Sequence, residues 1–148
     1  MRDLLFRDLE TLTRFSHPCV DDFKSRLNSF YPDLWAHLES VPDLEPEAGR
    51  AVLTYLLGSA CQSQNTLNVE LGRAGLLALP RGWLLRHIEE AAEPLLRAGE
   101  EWEYRRLLEI CWKLDVALVR KLASDGAGSK NGEVRETCEG CLRELGDT

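Results

Sequence analysis

The sequence has almost no strand signal. Isoleucine, valine and threonine are sparse, and no run alternates β-branched with polar residues, which excludes a sheet as the organising element. Long apolar runs are missing too. The longest nearly apolar stretch, residues 51–61, holds Thr54, Tyr55 and Ser59 and is too short to cross a bilayer. Asp3, Arg7 and Asp8 interrupt any apolar N-terminal segment, so no secretory signal is expected. Basic charge is in deficit: the formal net charge is −7, with −4 over residues 1–74 and −3 over residues 75–148. That balance argues against nucleic acid and anionic membrane as partners, because both want a basic face. Cysteine occurs five times, at Cys19, Cys61, Cys111, Cys138 and Cys141. An odd, scattered set implies no disulfide framework and fits a reduced, cytoplasmic protein. Also missing are the glycine and histidine patterns that mark phosphate loops, dinucleotide sites, nucleophile elbows and zinc helices.

What the chain does have is leucine, alanine, glutamate and arginine at helical spacing. A first helix is expected over residues 3–15, with Leu5, Leu9 and Leu12 on one face. A second carries Val20, Phe23, Leu27 and Phe30 and stops at Pro32. A short helix follows through Trp35 and Leu38, and residues 41–46 read as a linker. Pro46 opens a long helix to about Ala60, with Val52, Leu56 and Ala60 inward. Asn65 caps the next, faced by Leu67, Leu71, Gly75 and Leu79; Gly72 and Gly75 lie inside it and point to close packing. Leu84, Ile88, Ala91 and Leu95 mark a helix that Pro94 should kink or restart, and Gly99 suits its C-terminal cap. Residues 101–114 form another, Asp115 caps the one after it, and residues 124–132 read as a mobile loop. The expected fold is all-α, with about eight helices in antiparallel pairs within a single domain spanning residues 1–148.

The last two helices carry a more specific pattern. Residues 115–123, a turn, then Val134-Arg135, Cys138, Leu142 and Leu145 form a helical hairpin with one apolar stripe. This stretch resembles a HEAT repeat. Residues 84–114 look like a second copy, with Tyr104-Arg105, Leu108 and Trp112, and residues 51–79 like a third, with Leu71, Gly75 and Leu79. The resemblance implies an α-α superhelix: three HEAT-like hairpins over residues 46–146 behind a divergent helical cap over residues 1–45. It also implies a protein-binding role, and a structural one for Arg105, at the position where the family bonds neighbouring repeats. The run from Trp102 to Glu109 is similar to small bacterial HEAT-like proteins, some of which accompany toxin and immunity systems. An immunity-type inhibitor of a toxic enzyme is thus one implied role.

The residues themselves leave three classes of function open. For a non-catalytic binding module, the contact candidates are Trp102, Arg106 and Trp112 on one helix, because tryptophan and arginine anchor interfaces. A second candidate surface is Asp43, Glu45 and Glu47. They lie with Asp33 and Glu39 in a stretch, residues 28–49, that has no lysine or arginine and would serve either to steer a basic protein partner or as a solubilising linker. An enzyme on a helical scaffold would instead use groove carboxylates or His17, His37 and His87; no catalytic set stands out. A thiol or zinc protein would use Cys138-x-x-Cys141, but both cysteines fall on the apolar stripe, where they serve as small hydrophobes. No metal ligand set and no cofactor is expected. The glutamates from Glu89 to Glu103 read as a solvated face paired with Arg86 and Arg97.

Overall fold

The computed structural model describes residues 6–62 and 64–146. Among them there is no strand, and the chain is all-helical. Eight α-helices appear: α1 (Leu9–Leu12), α2 (Pro18–Asn28), α3 (Pro46–Ala60), α4 (Thr66–Ala78), α5 (Arg81–Ala98), α6 (Glu101–Leu114), α7 (Val116–Gly126) and α8 (Gly132–Leu145). Two 3-10 turns, Leu34–Ala36 and Leu38–Asp43, lie between α2 and α3. None of these helices is long and apolar enough to cross a membrane. The chain divides into two compact units, Leu5–Ala92 and the segment from Glu93 onward.

The N-terminal unit is organised by the α3–α4 hairpin. Pro46 sits in the first turn of α3, and Asn65, at φ 65°, caps α4 by accepting from the Asn68 N–H at 3.2 Å. Leu53, Leu56 and Leu57 of α3 and Leu71 and Leu76 of α4 are fully buried between them. Gly72 lies against the backbone of Leu56 and Ala60, and Gly75 against the Leu56 side chain. Position 72 thus meets 60 while 75 meets 56, the reversed register of an antiparallel pair. Helix α2 buries Val20, Phe23 and Leu27, as its spacing predicts.

Two local expectations change. Of the helix expected over residues 3–15, residues 3–5 lie outside the described residues, and only Leu9–Leu12 is α-helical. The Asp8 carboxylate caps this turn by accepting from the Thr11 N–H, and the Thr13 hydroxyl donates to the Leu9 carbonyl. The Asp8 cap sets where the turn begins, and beyond Thr13 the bonding passes to i to i+3, Arg14 to Thr11 and Phe15 to Leu12. Arg7 is drawn aside into a two-bond pair with Glu70. The first half of the linker expected at residues 41–46, Val41 to Asp43, belongs to a 3-10 turn, and it buries Val41. Pro94 lies within α5, and the helix continues through it to Ala98.

In the C-terminal unit α6, α7 and α8 all pack on one another. Asp115 caps α7 and Gly99, at φ 62°, ends α5, both as expected. The expected loop over residues 124–132 is shorter, because α7 runs on to Gly126. Gly126 is buried: a Cβ there would fall 2.8 Å from the Tyr104 hydroxyl and against the Cys138 sulfur. The Tyr104 hydroxyl donates to the Leu122 carbonyl at 2.8 Å, and the Asn131 side chain donates to the Gly99 carbonyl at 2.9 Å.

The helical glycines generate a prediction with opposite signs. Gly72→Ala would place a Cβ 2.8 Å from the Leu56 carbonyl oxygen, forcing two backbones apart. Overpacking of this kind is expected to destabilise by about 1–3 kcal/mol or more. Gly58→Ala, with nothing within 4 Å of its new Cβ, is expected to stabilise by about 0.5–1 kcal/mol. Urea unfolding of both variants measures the contrast.

Candidate functional site

The aromatic–arginine segment becomes the first two turns of α6. Glu100 caps it, its carboxylate accepting from the N–H groups of Trp102 and Glu103 at 3.2 and 2.9 Å. Burial, and then the charge of Glu100, push the Glu103 carboxyl above its usual value. Trp102, Arg105 and Arg106 share one face by helical spacing. The Trp102 ring is 46% exposed, and the guanidinium carbons of Arg105 and Arg106 lie 5.2 and 5.8 Å from its centre. Contacts of this kind hold an exposed indole in one orientation.

Glu101 is the residue that the sequence misplaces. Grouped there with a solvated face, it is buried in the structure. One of its oxygens, Oε1, accepts from Arg105 Nε at 3.0 Å, from Arg105 Nη2 at 2.7 Å and from the Thr137 hydroxyl at 3.0 Å. Arg105 thus reaches α8 through Glu101 and Thr137, a bridging role like the one the HEAT resemblance implies. Beside this knot runs an open groove of about 720 Å³. Helix α6 contributes Glu101, Trp102 and Arg105; α8 contributes Glu133, Glu136, Thr137, Gly140, Cys141, Arg143 and Glu144. Four carboxylates face two guanidinium groups, so the lining carries a formal charge of −2.

The remaining candidates fall elsewhere. Arg106 does not line the groove; it is mostly buried, with Nη1 3.8 Å from Glu109. Trp112 is half-buried and also lies outside the lining. Asp43, Glu45 and Glu47 are exposed in the N-terminal unit. There Asp43 joins Tyr31, Pro32, Leu34, His37, Ser40 and Leu44 around a hollow of about 390 Å³. Glu45 precedes α3 and Glu47 sits in its first turn, and neither lines the hollow. Sequence reasoning missed Glu101, Thr137, Glu133 and Glu136. The available signal was a polar stripe on α8, positions 133, 136, 137, 140 and 144, opposite the apolar one.

The cysteines are all free thiols, and Cys138 and Cys141 are buried. Burial is the main cause that raises Cys138 to about 12 and Cys141 to about 11, reinforced by neighbouring acidic groups. Metal ligation and nucleophilic attack both need the thiolate, which these surroundings disfavour. Among the described residues no group of three or more His, Cys, Asp or Glu is placed to hold a metal ion. The His17 ring nitrogen accepts from the Cys19 N–H to cap α2, His37 lies 3.4 Å from Glu39, and the His87 ring packs on Trp83.

Glu101→Ala removes the shared acceptor and strands Arg105, and is expected to cost about 1–3 kcal/mol in urea unfolding. Thr137→Val, which removes one donor, should cost about 0.5–1.5 kcal/mol. For the thiols, iodoacetamide at neutral pH should modify the part-exposed Cys19 in the native chain and the four buried cysteines only after unfolding. The raised values also set a sign. From the ordinary thiol value of 9.0 up to about 12 the native state holds these protons more tightly than the unfolded chain. Stability should therefore fall as pH rises through that window, which thermal melts at successive pH values would measure.

Comparison of the chain with protein-family models, curated proteins and solved structures returned no match.

Proposed function

We propose that this chain is a non-catalytic protein-binding module of HEAT-like helical hairpins, and that the α6–α8 groove is its contact surface. The observation that carries this reading is Trp102. A large apolar ring stands 46% exposed at the edge of an acidic groove and is held in place by two arginines. Orienting the ring before contact lowers the entropy lost on binding, which is how a few anchors come to dominate an interface. The rest of the groove is charged, so it supplies register and discrimination more than affinity. A protein partner with an apolar pocket for the indole and basic groups for Glu133 and Glu136 fits best. An immunity-type inhibitor that covers a basic toxic enzyme is the sharper form of this reading. A reducing cytoplasm suits a chain whose five cysteines are all free.

The test is comparative capture from the native host by the wild-type chain and by Trp102→Ala, read by quantitative mass spectrometry. A protein enriched by the wild type should be depleted at least tenfold with the variant, as loss of a central tryptophan anchor commonly costs about 2 kcal/mol or more. Equal recovery by both chains would move the contact surface away from the groove. Recovery of no reproducible protein would count against binding as the main role.

A further inference from the structure

We propose that the hollow at the 3-10 turns of the N-terminal unit is a socket for an arginine side chain of a partner protein. The hollow is distinct from the α6–α8 groove and does not depend on it. It is lined by Tyr31, Pro32, Leu34, His37, Ser40, Asp43 and Leu44. Three observations converge on a guanidinium guest.

Among the described residues Tyr31 is the most exposed large apolar one, at 58%. The other exposed aromatics already hold cations from this chain: Arg7 lies over Phe15, and Arg105 and Arg106 over Trp102. Half-buried rings do the same, Lys24 over Trp35 and Arg26 over Phe30. Among the described residues Tyr31 has no cation or ring partner. Asp43 likewise has no ion-pair partner among the described residues. Finally, residues 28–49 contain no lysine or arginine, and the one histidine there, His37, lies 3.4 Å from Glu39.

A ring without a cation and a carboxylate without an ion pair, lining one hollow, suit arginine better than lysine. The planar guanidinium stacks on a ring while its edge donates two bonds to a carboxylate, and it sheds water more readily than an ammonium. The surrounding Asp33, Glu39, Glu45 and Glu47 raise the local concentration of a basic segment without taking part in the fit.

The probe is a capped Gly-Arg-Gly peptide titrated into the isotope-labelled full chain and followed by amide NMR, with citrulline and lysine counterparts as controls. Saturable shifts are expected at the amides of Tyr31, His37, Ser40, Asp43 and Leu44, strongest for arginine and absent for citrulline. Tyr31→Ala and Asp43→Asn should each weaken binding about threefold or more. Tyr31→Phe should retain it, because the ring face is kept. Trp102→Ala should leave it unchanged, so the groove reading can fail while this one stands, and the reverse. Equal shifts from the citrulline peptide, lysine binding as tightly as arginine, or binding indifferent to both Tyr31→Ala and Asp43→Asn would overturn the assignment. Loss of binding in Trp102→Ala would overturn it as well, by placing the guest in the groove.

Discussion

Helices α3 and α4 approach until the backbone of one touches the other, and only glycine at position 72 permits this. An interhelical distance set by backbone rather than side chains lets leucines on either side of the contact interlock without voids. The C-terminal unit uses the same device once, where Gly126 leaves room for the Tyr104 hydroxyl and the Cys138 sulfur. Tyr104 can then satisfy the Leu122 carbonyl inside the core. That bond matters because a phenol buried without a partner would be a liability. In both units a missing Cβ is what lets a bulky or polar group be buried at full contact.

This also explains which parts of the fold could be read from the sequence. Helix ends fixed by local chemistry were legible: Pro46, Asn65, Gly99 and Asp115 stand where their preferences put them. Elements fixed by tertiary contact were not. Gly126, read as part of a loop, lies inside α7 because Cys138 and Tyr104 need the space. The residues from Leu34 to Asp43 were read as a short helix and a linker. They form 3-10 turns whose i to i+3 bonding leaves no lasting periodicity to detect. The apolar residues that anchor them, Leu34, Leu38 and Val41, gain their burial from neighbours elsewhere in the chain.

The candidate site shows the same division. Trp102 and Arg105 stood out because residue type and helical spacing are enough to flag them. Glu101 did not, because its environment depends on Thr137, far along the chain on another helix. A glutamate in a first turn is ordinarily solvated and complements the helix dipole. Here Arg105 and Thr137 share its one oxygen, and the carboxylate becomes a joint between helices. Arg106, picked out with Trp102, is mostly buried beneath the site, where it helps hold the ring.

Charge and apolar contact divide their roles on these surfaces. Apart from the buried Glu101, the acidic residues are exposed, and at physiological salt their fields decay over roughly 8 Å. They can speed the encounter with a basic protein, but they hold a complex only weakly. Persistence has to come from groups that lose water on contact, and among the exposed rings the two that line a groove or hollow are Trp102 in the C-terminal unit and Tyr31 in the N-terminal one. Their settings differ in kind. Trp102 already carries two arginines from its own chain, so a partner meets its edge and the groove beside it. Tyr31 has no cation of its own among the described residues and lines one hollow with Asp43, a combination that favours a cation brought by the partner. A protein that engages both would therefore need an apolar pocket for one and a guanidinium for the other, and that pair of demands is more selective than net charge alone.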